Sequence, residues 1–123
     1  MSHSSLPLRV FLLATVLCMA AVSAWAHAIV LESTPKANGV VFGPVVEIKL
    51  RFNVRIDGAR SRLTLILPDG VSRAVDLLQQ ASPDSLSAVV SKLPPGNYQL
   101  HWQVLAGDGH ITQGNIPFSV VTR

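Results

Sequence analysis

Apolar and polar residues alternate along much of this chain. In residues 45–52 the apolar side chains are separated by Glu47, Lys49 and Arg51, and residues 98–104 repeat the alternation with Gln99 and Gln103 among the polar positions. Successive side chains of a β-strand point to opposite faces, so this period of two predicts strands with one buried face and one solvated face. Helical spacing would mix the two sets of residues.

Shorter apolar segments predict further strands at residues 29–31, 63–67, 71–77, 86–93 and 116–121. Pro68-Asp69-Gly70 favours a hairpin turn between two of them, and Pro94-Pro95-Gly96-Asn97 breaks the chain between two others. No segment has a convincing helical pattern, and Pro83 argues against more than one helical turn in residues 79–86. About seven short strands with regular turn signals predict a single all-β domain, an antiparallel Greek-key sandwich or barrel.

The first 26 residues differ from the rest. Residues 10–22 carry no charge, Arg9 precedes them, and Ala24-Trp25-Ala26 follows with small residues at the positions that a signal peptidase reads. The apolar run is shorter than the roughly 18 residues of a spanning helix. We therefore expect residues 1–26 to be a cleaved secretory signal peptide and residues 27–123 to be the mature, exported domain.

Charge is sparse and evenly spread. The chain has ten Lys and Arg against seven Asp and Glu, and Arg9 is the one cation of the expected leader. Only Arg55, Arg60 and Arg62 approach a cluster, and a solvated loop explains them better than a docking patch. Nucleic-acid binding requires a denser basic surface, so no nucleic acid is expected as a partner.

Sulfur ligands are absent from the expected mature domain. The single cysteine, Cys18, and both methionines, Met1 and Met19, lie within the expected leader. Thiolate and thioether groups are the ligands that select Cu(I). Residues 27–123 should therefore hold no Cu(I) site of that kind.

Cleavage after Ala26 would make His27 the N-terminal residue. Its α-amine and its imidazole Nδ1 could then close a six-membered chelate ring on a metal ion. Their ordinary pKa values, about 7.7–8.0 and about 6.5, allow both groups to lose protons near neutral pH. Two nitrogen donors of this kind suit Cu(II), which prefers tetragonal nitrogen and oxygen coordination. The alternative is an ordinary surface residue at a frayed terminus.

A second set of donors lies in Gly107-Asp108-Gly109-His110. In an extended segment, residues two apart point to the same side, so Asp108 and His110 could reach one ion. Together with the His27 chelate they would supply three nitrogens and one oxygen. The alternative is a glycine-rich β-turn in which Asp108 caps the backbone. His101 lies on the polar face of its strand and is interpreted as a surface residue, whereas Trp102 is interpreted as core.

The chain resembles the CopC-type periplasmic copper-binding proteins. The resemblance covers essentially all of residues 27–123, and its most specific marker is Trp102 followed by Asp108-Gly109-His110, Gly114 and Phe118. Further markers are His27-Ala28, Ser33-Thr34-Pro35 with Asn38-Gly39, Leu50-Arg51-Phe52 and Pro95-Gly96-Asn97-Tyr98. It implies a seven-stranded immunoglobulin-like β-barrel and a Cu(II) site formed by His27, Asp108 and His110.

Two departures from the family pattern change what the resemblance implies. Many relatives have a glutamate after the strand that contains Leu50-Arg51-Phe52, and Val54 stands there in this chain. Some relatives also have a methionine-rich Cu(I) site, for which the mature domain has no methionine. The expectation is therefore one Cu(II) per chain, held for sequestration or delivery, with an inner-membrane copper transport protein as a possible partner.

Two other function classes compete with a copper carrier. One is a metal-free immunoglobulin-like interaction module for a membrane copper protein. The other is a histidine-brace copper oxidase, which would need a larger domain and an open substrate surface. Aromatic residues are only 6% of the chain, and a carboxylate ligand favours oxidised copper. We therefore expect a binding protein and not an enzyme.

Overall fold

The computed structural model describes residues 27–123, so the expected leader lies outside the described residues. Eight β-strands and no helix are found in this range. No segment within it forms a helix long and apolar enough to cross a membrane. The strands are β1 (Val30–Thr34), β2 (Gly39–Phe42), β3 (Val46–Phe52), β4 (Ile56–Ile66), β5 (Ser72–Val75), β6 (Ser85–Val90), β7 (Gly96–Ala106) and β8 (Ile111–Val121).

The strands form two sheets. A three-stranded sheet has the order β1-β3-β6, and a five-stranded sheet has the order β2-β8-β7-β4-β5. All neighbours are antiparallel except β2 and β8, which run parallel. This arrangement confirms the all-β, immunoglobulin-like sandwich, with eight strands where the sequence pattern predicts about seven.

One apolar core joins the two sheets. β3 contributes Ile48, Leu50 and Phe52 to this core, and β7 contributes Leu100 and Val104 from the opposite sheet. The polar residues between them on β3 and β7 are exposed or half-buried, as the period of two predicts. The aromatic ring of Trp102 packs edge-on against Phe52 at a centroid distance of 5.4 Å, which confirms its place in the core.

The predicted turn at Pro68-Asp69-Gly70 connects β4 to β5. The Leu67 amide donates a hydrogen bond to the Val71 carbonyl at 2.9 Å, and the Val71 amide donates to Asp69 Oδ1 at 3.0 Å. Gly70 has a φ of +85°, a left-handed conformation that glycine adopts without steric cost. Asp69 is therefore a turn residue, as the sequence indicates.

The strand β2 is the element that the pattern does not predict. It has four residues and pairs in parallel with the last part of β8, from Phe118 to Val121. Val40 and Phe42 are exposed, while Val41 packs against the core. Residues 79–86 form no helix; they lead into β6, and the Gln80 side chain donates hydrogen bonds to the carbonyls of Ile56 and Ser85.

Candidate metal centre

The hairpin between β7 and β8 carries Asp108 and His110 at one end of the sandwich. Leu105 and Ile111 form the last strand pair before the turn. The Ala106 amide donates to the His110 carbonyl at 2.8 Å, and the Gly109 amide donates to the Ala106 carbonyl at 2.9 Å. Gly109 has a φ of +91°, so the turn requires a residue without a Cβ at this point.

Asp108 and His110 contact each other in this turn. The His110 amide donates to Asp108 Oδ1 at 3.1 Å, and His110 Nδ1 lies 3.2 Å from Asp108 Oδ2. The amide hydrogen bond is the largest cause of a lowered Asp108 pKa, and the imidazole adds to it. The carboxylate is thus ionised at neutral pH, and both side chains remain about half exposed, at 47% and 58%.

The way in which the two residues meet differs from the sequence interpretation. An extended segment would place them on the same side by its period of two, but Asp108 and Gly109 lie in a turn outside the strands. The carboxylate caps the backbone amide two residues later, as aspartate does in such turns. The capped turn, which the sequence offers as an alternative to ligation, is the local structure that orients Asp108 and His110.

The segment that follows His27 is anchored next to this hairpin. The Ala28 amide donates to Thr112 Oγ1 at 3.2 Å, and Thr112 lies on β8 two residues after His110. The Ile29 amide donates to Asn53 Oδ1 at 2.7 Å. Ala28 is buried in the core, whereas His27 itself is exposed.

The turn between β3 and β4 also borders the hairpin. The Gly107 amide donates to the Arg55 carbonyl at 3.0 Å, which ties the two turns together. Val54 is half-buried and packs against the core. This position therefore supplies no carboxylate to the hairpin.

The structure brings together Asp108 and His110, but it does not place His27 in one cluster with them. Within residues 27–123, no three His, Cys, Asp or Glu side chains form a group that could hold a metal ion. The His27 nitrogen is an amide while Ala26 is attached, and it becomes an amine only after cleavage. The three-residue site therefore stays a prediction.

His101 lies on the outer face of the five-stranded sheet, half-buried and 2.9 Å from Asn115 Oδ1 through its Nδ1 atom. It lies four residues before Leu105, the last paired residue of β7 before the turn, which corresponds to about 14 Å along the hairpin. It is too far away to contact the Asp108–His110 pair. This agrees with its interpretation as a surface residue.

The donors in this region suit a divalent copper ion. Imidazole nitrogen and carboxylate oxygen are borderline and hard ligands that Cu(II) accepts in tetragonal geometry. Residues 27–123 contain neither cysteine nor methionine, the soft ligands of Cu(I). Thr112 and Asn53, which anchor the N-terminal segment, were not singled out by the sequence. The sequence carries no signal for either, because both act through hydrogen bonds to residues far away in the chain.

A family model described as the CopC domain matches residues 30–121. Copper resistance protein C from Xanthomonas campestris pv. juglandis is 32% identical, and the alignment covers 83% of this chain and 86% of that protein. Protein YobA from Escherichia coli K12 is 30% identical over 80% of this chain and 82% of its own length.

Solved structures give the same result. CopC from Methylosinus trichosporium OB3b superposes with a TM-score of 0.68 at 27% identity, covering 79% of this chain and 96% of that one. PcoC, described as a methionine-rich copper resistance protein from Escherichia coli, superposes with a TM-score of 0.62 at 26% identity, covering 78% of this chain and all of PcoC.

Proposed function

This chain belongs to the CopC family, and from this premise we propose that it is a periplasmic copper-binding protein that sequesters or delivers one Cu(II) ion per chain. The ligands in this proposal are His27, Asp108 and His110. The contact between Asp108 and His110, in a turn that lies beside the anchored N-terminal segment, is the observation that carries it.

Each ligand has a distinct role. His27 supplies its α-amine and Nδ1 as a chelate once the leader is removed, and His110 supplies a further imidazole nitrogen. Asp108 supplies a carboxylate oxygen, and the hydrogen bond from the His110 amide lowers the pKa of this carboxyl further below neutral pH. Copper must displace protons from the amine and both imidazoles, so the affinity for copper should fall as the pH decreases.

The protein is proposed to bind Cu(II) alone. PcoC carries the description methionine rich, whereas both methionines of this chain lie in residues 1–26. A mature protein that begins at His27 therefore has no thioether ligand for Cu(I). The proposed function is to bind and release Cu(II) without a chemical reaction, so we propose no enzymatic activity. An inner-membrane copper transport protein is the partner that fits a periplasmic carrier.

A Cu(II) titration followed by electron paramagnetic resonance (EPR) tests this function. Two forms are compared, one that begins at His27 with a free α-amine and one in which that α-amine is acetylated. The proposal expects one tight tetragonal Cu(II) in the first form only, because acetylation removes the amine donor and leaves the imidazole unchanged. Equal binding by both forms would exclude the terminal chelate. Absence of binding in both would favour a metal-free interaction module.

A further inference from the structure

We infer that Thr112 and Asn53 are positioning residues for His27. They bind the two backbone amides that follow it and so keep its main chain near the Asp108–His110 turn before copper arrives. This inference rests on the proposed function, and it assigns to these two residues a part in copper binding without making either of them a ligand.

Thr112 anchors the segment to the five-stranded sheet. Its Oγ1 atom accepts the hydrogen bond from the Ala28 amide, and its own position is fixed by pairing with the buried Val104 of β7. A β-branched side chain has few χ1 rotamers, so the acceptor oxygen is held in place. Thr112 lies two residues after His110, so their Cα atoms are at most about 7 Å apart. The main chain of His27, which directly precedes Ala28, is therefore kept close to His110.

Asn53 anchors the same segment to the three-stranded sheet. Its side-chain Oδ1 atom accepts a hydrogen bond from the Ile29 amide at 2.7 Å. Its backbone amide donates a hydrogen bond to the Ile29 carbonyl at 3.0 Å. Asn53 follows the last residue of β3, where Phe52 pairs with Val30. The asparagine side chain thus extends the β1–β3 ladder by one residue, toward the terminus.

The two anchors act on a segment that would otherwise fray. Terminal residues are ordinarily mobile unless they are tied down, and ordering them costs conformational entropy. Here Ala28 is 4% exposed and bonded to Thr112, and Ile29 is bonded to Asn53, while the adjacent His27 is exposed. The terminal histidine is therefore attached to an ordered segment, Ala28 and Ile29. Because this segment is ordered before copper binds, the affinity for copper should be higher.

The test uses protein that is exported and processed to begin at His27. Thr112→Val removes the oxygen that accepts from Ala28, and Thr112→Ser restores it. Asn53→Ala removes the oxygen that accepts from Ile29, and Asn53→Asp restores it. Thr64→Val is the matched control, because Thr64 lies on β4 of the same sheet and makes no contact with the N-terminal segment. The measurements are a competitive Cu(II) titration, EPR of the copper complex, and NMR hydrogen exchange of the Ala28 and Ile29 amides without copper.

The inference predicts that Thr112→Val and Asn53→Ala each weaken Cu(II) binding by about twofold to tenfold, the scale of one lost hydrogen bond. The amide of Ala28 or Ile29 should exchange faster in the corresponding variant, and the serine and aspartate variants should recover the affinity. If Thr112→Val does not fold, the Asn53→Ala variant tests the inference alone. Asn53 is exposed, so its substitution should leave the fold intact.

Three results would overturn the inference. Wild-type affinity in both Thr112→Val and Asn53→Ala would show that the anchors do not position His27, and the copper-binding function would still stand. An equal loss in Thr64→Val would show that any threonine of this sheet has the same effect. If the wild-type protein that begins at His27 binds no Cu(II), the proposed function fails and the inference falls with it.

Discussion

Asp108 and His110 are joined by two contacts within a single turn. The His110 amide donates to Oδ1 of the carboxylate at 3.1 Å, and Nδ1 of the imidazole lies 3.2 Å from Oδ2. The first contact orients the carboxylate through the backbone and leaves both side chains partly exposed. A metal ion bound at Nδ1 of His110 would therefore lie near the Asp108 carboxylate.

The substitution Asp108→Ala should weaken Cu(II) binding without abolishing it, because the His27 chelate and His110 remain. We expect a loss of about tenfold to a hundredfold, a range seen when even an outer partner of a metal ligand is removed. A competitive Cu(II) titration measures this loss. Asp108→Asn is the matched variant, since it keeps the oxygen that accepts from the His110 amide. Unchanged affinity in Asp108→Ala would remove Asp108 from the proposed ligands.

The substitution His27→Ala should reduce Cu(II) affinity severely and leave the fold nearly unchanged. His27 is exposed, and surface substitutions usually change the free energy of unfolding by about 0.5 kcal/mol or less. Urea unfolding and a Cu(II) titration on the same samples separate the two effects. His101→Ala is the control for a histidine away from the turn, and its copper affinity should equal that of the wild type. A large loss of stability in His27→Ala would contradict an exposed terminal site.

Alternation predicts the long strands because their burial is decided locally. Each apolar residue from Val46 to Phe52 faces the core, and the residues between them do not. Alternation does not predict β2, because its four residues show no alternation of apolar and polar side chains. In addition, β2 pairs with β8, which is far away in the chain. Its presence depends on a distant strand, which no local pattern encodes.

The sequence predicts the local part of the candidate site but not its long-range contacts. The spacing of Asp108 and His110 correctly indicates that they lie close together, although a capped turn brings them together and not an extended strand. The anchors of the N-terminal segment are long-range contacts, from Ala28 to Thr112 and from Ile29 to Asn53. Such contacts depend on how the two sheets pack, and a single sequence carries no direct signal of them.

The ion pair between Glu32 and Arg51 should make a pH-dependent contribution to stability. The hydrogen bond from Arg51 Nη2 to Glu32 Oε1 at 3.0 Å, together with the attraction between the charges, lowers the Glu32 pKa below its ordinary value. A lowered pKa in the folded chain means that the pair stabilises it above the ordinary glutamate pKa. This contribution is lost as the pH falls through the lowered value.

An NMR titration of the Glu32 carboxyl carbon checks this ion pair. Arg51→Gln should return the Glu32 pKa toward its ordinary value. Lys49→Gln should have a smaller effect, because Lys49 acts on Glu32 only through longer-range attraction. An equal change in both variants would show that general surface charge, and not the Arg51 contact, sets this pKa.

The hydroxyl of Tyr98 fixes the entrance to β7. It donates to the Pro94 carbonyl at 2.6 Å, four residues earlier, in the manner of the tyrosine corner of immunoglobulin-like sandwiches. Burial raises the Tyr98 pKa above its ordinary value, which already keeps the hydroxyl protonated at neutral pH. Tyr98→Phe should lower the free energy of unfolding by about 1–2 kcal/mol, because the bond is lost and a carbonyl is left without its partner. Wild-type stability in urea unfolding would show that water replaces the hydroxyl at no cost.

Gly114 allows the indole ring of Trp102 to lie flat against β8. The two residues are strand partners, and a Cβ at position 114 would lie 2.6–2.9 Å from three atoms of the ring. The ring cannot move away freely, because it packs against Phe52 on its other side. Gly114→Ala should therefore lower the free energy of unfolding by about 1–3 kcal/mol, the usual cost of overpacking a core. Urea unfolding followed by Trp102 fluorescence measures it, and Gly107→Ala, whose Cβ would lie 3.7 Å from Arg55, controls for loss of glycine alone. Equal stability of both variants would mean that the ring yields and that Gly114 is not required by this contact.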